Sequence, residues 1–182
     1  MPDRIEPPSG YQRDIDDRLL ARRIVTVAGA LDDATATRVA GQLLLLDREP
    51  GPVTLHLGCS EAELSAALAL ADTVDLVSAP VHTTVRGTLP APALAVLCAS
   101  DLRAAHRHAM FLLSLPRAQA TGSATDVAGR AARHAHQVTQ LSLRVADVTG
   151  RAPGEVADEL GGPGRLLTAE EARSFGLVQE VV

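Results

Sequence analysis

The side chains able to do covalent or acid–base chemistry are few and scattered. Ser114 stands near the end of an apolar run from Met110 to Leu115. Histidines pair at i, i+2, as His106 with His108 and His134 with His136. Cys59 and Cys98 are single and far apart, and Asp158 and Glu159 precede a Gly161-Gly162-Pro163-Gly164 turn. A nucleophile needs an adjacent base or a lowered pKa. The segment Gly87-Thr88-Leu89-Pro90-Ala91-Pro92-Ala93-Leu94 reads as a strand handing over to a helix, a place suited to a nucleophile, and the residue at the hand-over is Ala91. Alanine has no lone pair to attack a carbonyl and no proton for a base to take.

Each remaining group has a functional and a plain reading. Ser114 is either a repurposed nucleophile or a strand-end serine with no base beside it; the second is preferred. His134 and His136 do not share a helix face at i, i+2, so they are read as solvated. His106 and His108 share a face if they lie on a strand, but no third ligand is evident and no metal site is expected. No cationic neighbour in the sequence lowers either cysteine pKa, which favours inert burial. Gly161-Gly162-Pro163-Gly164 is read as a plain turn and not as a phosphate cradle.

Composition narrows the classes further. At 182 residues, 46% hydrophobic and 21% charged, the chain fits one soluble globular domain. Its net charge is -5 and its longest basic run is Arg22-Arg23, so no nucleic-acid footprint is present. No run approaches 18 apolar residues, and no membrane span is expected. The polar, proline-rich first ten residues lack an apolar core, and a cytoplasmic location is expected. All 17 basic residues are arginine. Without lysine, a P-loop or a lysine Schiff base is excluded within this chain, and no cofactor is expected.

The elements that must position these residues alternate. Residues 1–13 read as a flexible arm and 14–182 as one domain, with Asp14 opening a short helix through Leu20. Ile24 to Val27 is a strand ended by Gly29. A helix capped by Asp32 or Asp33 follows, with Ala36, Val39, Ala40, Leu43 and Leu44 on one face. Val53 to Leu57, Val81 to Val85 and Met110 to Leu115 read as strands. Helices are expected over 61–77, 91–99 and about 124–149. The longest carries the apolar stripe Val127, Ala131, Ala135, Val138, Leu141, Val145 and Val148. At ~1.5 Å per residue it overhangs a domain of this size, which suggests packing on another subunit. Thr168 with Glu171 forms a capping box, Gly176 closes that helix, and Leu177 to Val182 leaves as a strand. The alternation argues for an α/β fold with a mainly parallel sheet.

In this order the pieces resemble ClpP, the proteolytic subunit family of the ATP-dependent Clp protease. The resemblance is carried by Asp14-Ile15 with Arg18-Leu19-Leu20; by Arg23-Ile24-Val25, Gly29 and Leu31-Asp32-Asp33; by Gln42-Leu43-Leu44 and Asp72-Thr73. It continues through Gly122 with Ala124-Thr125-Asp126, then Ala169-Glu170-Glu171-Ala172 and Gly176-Leu177-Val178. It implies a ClpP/crotonase-like fold of repeated β-β-α and βα units, a wedge-shaped head and a long protruding handle helix over about 124–149. It also implies a Ser-His-Asp triad with a glycine-supported oxyanion hole. Those positions fall on Ala91, on Ser114 (counting back from Pro116), on Leu160 (counting back from Ala169), and on Glu61 and Ala62. Glu159 is the nearest acid if the register moves. A carboxylate at Glu61 opposes a developing oxyanion.

No catalytic residue is therefore expected. The resemblance implies a non-catalytic, structural or regulatory subunit that joins itself or a catalytic ClpP paralogue in stacked rings. The family's aromatic docking pocket falls on Thr54, His56 and Leu76, so unfoldase docking is expected to be weak or absent. The alternatives are a stand-alone homo-oligomeric scaffold or binding protein, and residual Clp-type peptidase or crotonase-like activity.

Overall fold

Alternation of side chains along one strand sets the layering. In the computed structural model, which describes residues 9–115 and 121–182, strand β2 (Val53–Ala62) buries Val53, Leu55, Leu57 and Cys59 and leaves Thr54, His56 and Gly58 half-covered. It pairs in parallel with β1 (Ile24–Leu31) on one side and β3 (Val81–Val85) on the other. Strands β5 (Leu102–Ala105) and β8 (Glu180–Val181) complete a parallel sheet of order β1-β2-β3-β5-β8. Parallel strands need crossover connections. Here these are supplied by helices α2 (Asp33–Leu46), α3 (Leu64–Leu76) and α4 (Leu94–Cys98).

A second sheet, of order β4-β6-β7, is built from β4 (Thr88–Pro90), β6 (Met110–Leu113) and β7 (Arg165–Thr168). Strand β4 runs parallel to β6, and β7 runs antiparallel to it. The result is a mixed α/β fold with a mainly parallel sheet, as the alternation of elements predicts. The chain is completed by α1 (Ser9–Leu20), α5 (Ala124–Thr149), α6 (Pro153–Gly161) and α7 (Ala169–Phe175).

Several boundaries differ from the sequence expectation, each for a physical reason. Residues 1–8 of the expected arm lie outside the described residues, and α1 starts at Ser9 instead of Asp14. Strand β1 does not stop at Gly29. That residue takes φ +80°, the register shifts between Gly29 and Ala30, and the strand resumes to Leu31 as a β-bulge. Glu61 and Ala62 do not begin a helix; they extend β2 beside Ala30 and Leu31, and α3 starts at Leu64. On α2 the buried face is Ala36, Val39, Leu43 and Leu46, while Leu44 points outward. Asp32 caps that helix, accepting the Thr35 N–H at 2.8 Å.

The long helix is only half rooted. Its buried residues are Leu141, Ser142, Val145 and Ala146, all in the C-terminal half. Arg144 ties that half to α3, reaching Asp72 at 2.9 Å and Asp75 at 2.5 Å. From Ala124 to Arg133 every residue is exposed, Val127 and Ala131 of the apolar stripe among them. Capping by Ser123 and Asp126 holds the free end in helical form.

Gly58 is the tightest point of the parallel sheet. A Cβ there would be driven into the Arg86 carbonyl, where the chain leaves β3 and crosses toward β4. The Cβ is fixed by the Gly58 backbone and its obstacle is backbone too, so neither moves cheaply. Gly58→Ala is expected to cost more than about 2 kcal/mol, read as a lowered urea midpoint. Gly41→Ala, on α2 with open space around it, is expected to be neutral or stabilising.

Candidate functional site

The site is built where the two sheets meet. Pairing of Pro90 with Leu112 sets the end of β4 beside the end of β6. The chain then turns through a 3-10 segment, Ala91–Ala93, into α4. Pro92 suits the first turn, and the Leu94 N–H reaches the Ala91 and Pro92 carbonyls. A strand-to-turn-to-helix hand-over is present, and Ala91 stands at its apex. It is 0% exposed and belongs to the hydrophobic core.

Ser114 follows β6 and is half-buried. Gly164 lies across the turn, close enough that a Cβ there would sit 3.7 Å from the Ser114 side chain. Among the described residues, no histidine or carboxylate hydrogen-bonds to Ser114. Leu160 lies in the last turn of α6 and is 1% exposed in the core. The chain Pro153–Gly161 forms a helix because Pro153 opens it and Val156 and Leu160, one turn apart, both face inward.

Glu159 does not approach Ser114 by any hydrogen bond. It is engaged by Arg165 at 3.2 Å. Both lie along an open groove of about 830 Å³ lined also by Arg151, Glu155, Asp158 and Gly162 to Gly164. Arg151 stacks over the Phe175 ring at 4.0 Å, so its charge is turned partly inward. Glu155, Asp158 and Glu159 make the groove unsuited to phosphate, in keeping with the plain-turn reading of Gly161 to Gly164.

Glu61 is exposed and Ala62 half-buried at the end of β2. The Glu63 N–H donates to the Leu31 carbonyl at 2.9 Å, so this stretch continues the ladder instead of presenting free amides. Neither position approaches the backbone freedom that a pair of glycines would give an oxyanion hole.

The other candidates fall apart in space. His106 and His108 were considered as sharing a strand face. Strand β5 ends at Ala105, and both are exposed in the turn to β6, where the His106 carbonyl accepts the Ala109 N–H at 2.8 Å. His134 is half-buried and His136 exposed on α5. No group of three or more His, Cys, Asp or Glu side chains is placed to hold a metal among the described residues. Burial pushes the Cys59 thiol up to about 11 and the Cys98 thiol up to about 12. One feature was not singled out for its chemistry from sequence: the Nδ1 of His56, on β2, is buried with no hydrogen-bond partner. Its signal was an ionisable ring at a half-buried strand position.

A Clp protease family model matches residues 9–182. The chain belongs to the Clp protease family. It is similar to the ATP-dependent Clp protease proteolytic subunit 1 of Frankia casuarinae, 31% identical over 188 aligned positions that cover 100% of this chain and 88% of the relative. It also resembles proteolytic subunit 2 of Corynebacterium efficiens, 29% identical over 96% of this chain and 89% of the relative. Proteolytic subunit 1 of Nocardia farcinica is 30% identical over 96% of this chain and 91% of the relative. The similarity spans the full fold and is not confined to the C-terminal capping box.

Two outcomes follow from this burial. Both thiols should resist Ellman's reagent at pH 8 in the folded protein, because little thiolate forms so far below their pKa values; both should react at once in denaturant. Leu160→Asp should cost about 3 kcal/mol or more, since it places a carboxylate in an apolar core with no partner. Denaturant unfolding checks it: burial raises the folded-state pKa of the new acid, so the loss should shrink as pH falls from 7 toward about 4, the unfolded-state value, and stay constant below that.

Proposed function

We propose that this chain is a ClpP-family subunit without peptidase activity of its own, serving a structural or regulatory role in a ring complex. The single observation that carries the reading is the burial of Ala91 and Leu160, at 0% and 1% exposure, in one apolar core. A nucleophile must be reachable by substrate, and an acid that orients an imidazole must have an imidazole to orient. In this reading Ala91, Ser114 and Leu160 are the triad positions, and Glu61 and Ala62 are the oxyanion positions. None supplies the chemistry, and Ser114 has no base. Members of a triad act as a unit, so their losses are not repaired singly.

The unrooted half of α5 supports the ring part of the reading. At ~1.5 Å per residue its exposed N-terminal segment spans roughly 15 Å. Val127 at 36% exposure, with Ala131 exposed one turn further on, leaves apolar surface that this protomer does not cover. A helix face of this kind is suited to a neighbouring subunit, either another copy or a catalytic paralogue.

Two measurements test the reading. Co-expression with a catalytic paralogue, followed by native mass spectrometry, should yield mixed assemblies; exclusively homotypic species would remove the mixed-ring version. Ala91→Ser should remain below about one-thousandth of the paralogue's peptidase rate and should not label with a fluorophosphonate probe. Clear labelling of that variant would reveal a base and oxyanion donors, and would overturn the non-catalytic assignment.

A further inference from the structure

Charge is unevenly placed on this chain. Its net charge is -5, yet α5 carries no acid between Asp126 and Asp147. Arg130, Arg133, Gln137, Gln140 and Arg144 recur there at three and four residues, so they form one flank of the helix beside the apolar stripe. Arg144, at the rooted end, is engaged by Asp72 and Asp75. Arg130 and Arg133 lie on the exposed segment and make no salt bridge among the described residues. Asp126 is committed to the cap, where it accepts the Ser123 hydroxyl at 2.7 Å and the Ser123 N–H at 3.3 Å. A shallow groove of about 500 Å³ runs along Arg133, His136, Gln137 and Gln140. At Gln140 it meets a cleft of about 220 Å³ against α3, walled by Leu68 and Leu143.

We propose that this flank of α5 selects its partner by charge: it takes an acidic helix of a different subunit and turns away the same helix of a second copy. The inference rests on the assembly part of the role proposed above and names the chemistry of the partner. Two copies of one helix related by a two-fold axis perpendicular to them run antiparallel, and the numbers of facing residues add to a constant. A contact centred on the free half, at Ala132, sets Arg130 opposite His134 and Arg133 opposite Ala131. The arginines of one copy then lie within one turn of those of the other. A parallel pair would set each arginine opposite itself. Packed helix axes lie about 8–10 Å apart, within the Debye length of about 10 Å at 0.1 M salt, so the repulsion is only partly screened.

The next acid along α5 is Asp147, on the rooted half and roughly 25 Å from Arg130 at the helical rise. The free half therefore offers a second copy little to attract it. A partner with carboxylates at the same three- and four-residue spacing meets no such opposition. Its acids would reach both guanidinium groups, and Gln137 and Gln140 can donate to further carboxylate oxygens. Like charges set face to face are a general means by which paired helices reject the wrong partner. The selection involves none of Ala91, Ser114 and Leu160, so it can fail while the non-catalytic assignment stands.

The test uses the full chain, with a charge-reversed copy of itself, Arg130→Glu/Arg133→Glu, as the acidic probe. Both positions are exposed, and an unchanged far-UV dichroism spectrum and urea midpoint show that the variant is folded. Wild type, variant and an equimolar mixture are compared by sedimentation and native mass spectrometry. At low salt, wild type is expected to bind the variant about tenfold or more tightly than it binds itself. At about 0.5 M salt the two affinities should converge to within about twofold. Arg48→Glu, which reverses an exposed cation away from α5, should bind wild type no more tightly than wild type binds itself. Wild type pairing with itself as tightly as with the variant overturns the proposal, and would point to Arg130 meeting Asp147 of a second copy. So does the absence of any complex between wild type and variant. These results are read on this chain alone, apart from the co-expression with a paralogue that tests the assembly role.

Discussion

The two-residue period of β2 is the constraint on which the rest depends. Val53, Leu55, Leu57 and Cys59 face the helices, and a slip of one residue would exchange them for Thr54, His56 and Gly58. Because β2 pairs with both β1 and β3, such a slip would propagate across the sheet. Gly58 adds a steric lock, since the chain crossing at Arg86 tolerates no side chain at that one position. The polar face is therefore as strictly placed as the core. Most all-parallel sheets bury both faces, and this one keeps one face half open.

In the proposed non-catalytic reading, the same core accounts for the coordinated loss of the triad side chains. Ala91, Phe111, Leu113, Leu160 and Leu167 belong to one buried cluster. Once an apolar side chain occupies an acid's position, the pocket that acid needed is filled by packing. Burying a group the size of leucine is worth about 1.5–3 kcal/mol, whereas an unpaired buried carboxylate is strongly unfavourable. Stability thus favours the apolar set, and selection for packing alone would maintain it. The devices that hold the fold together lie elsewhere. The Arg144 bridge to α3 and the Thr168–Glu171 capping box need no triad to be useful.

Legibility followed the reach of each signal. Strong local chemistry was readable: the Asp32 cap, the Thr168–Glu171 box with Gly176, the Val81–Val85 strand and the 124–149 helix all occur where their residues imply. The short elements were not. Leu102–Ala105 and Arg165–Thr168 are strands only because they pair with distant neighbours, β5 with β3 and β8, and β7 with β6. Gly29 reads as a terminator in isolation, but a bulge lets the strand resume. The α6 helix was hidden by the run of glycines that follows it. At the site, the resemblance assigns positions to Ala91, Ser114 and Leu160, while the burial of Ala91 and Leu160 emerges only in the packed structure. The orphaned nitrogen of His56 emerges only in the packed sheet.

Retention of α5 is the harder fact to explain by fold stability alone. Its C-terminal half supplies Leu141, Val145 and Ala146 to the core and Arg144 to the α3 bridge. Its N-terminal half contributes no buried residue, yet it keeps a capping box at Ser123 and Asp126 and a stripe that includes Val127, Ala131 and Ala135. An isolated helical extension gains little from solvent, because nucleation is unfavourable and most helix stability comes from packing. Ordering those residues costs about 1 kcal/mol or more each in backbone entropy. A segment that bears this cost without burying anything in its own protomer is organised for contact with something outside it. The same logic does not apply to Ala91 and Leu160, which repay their ordering within the chain. Ordered but unburied surface on α5, beside the buried Ala91 and Leu160, is what the proposed assembly role would require.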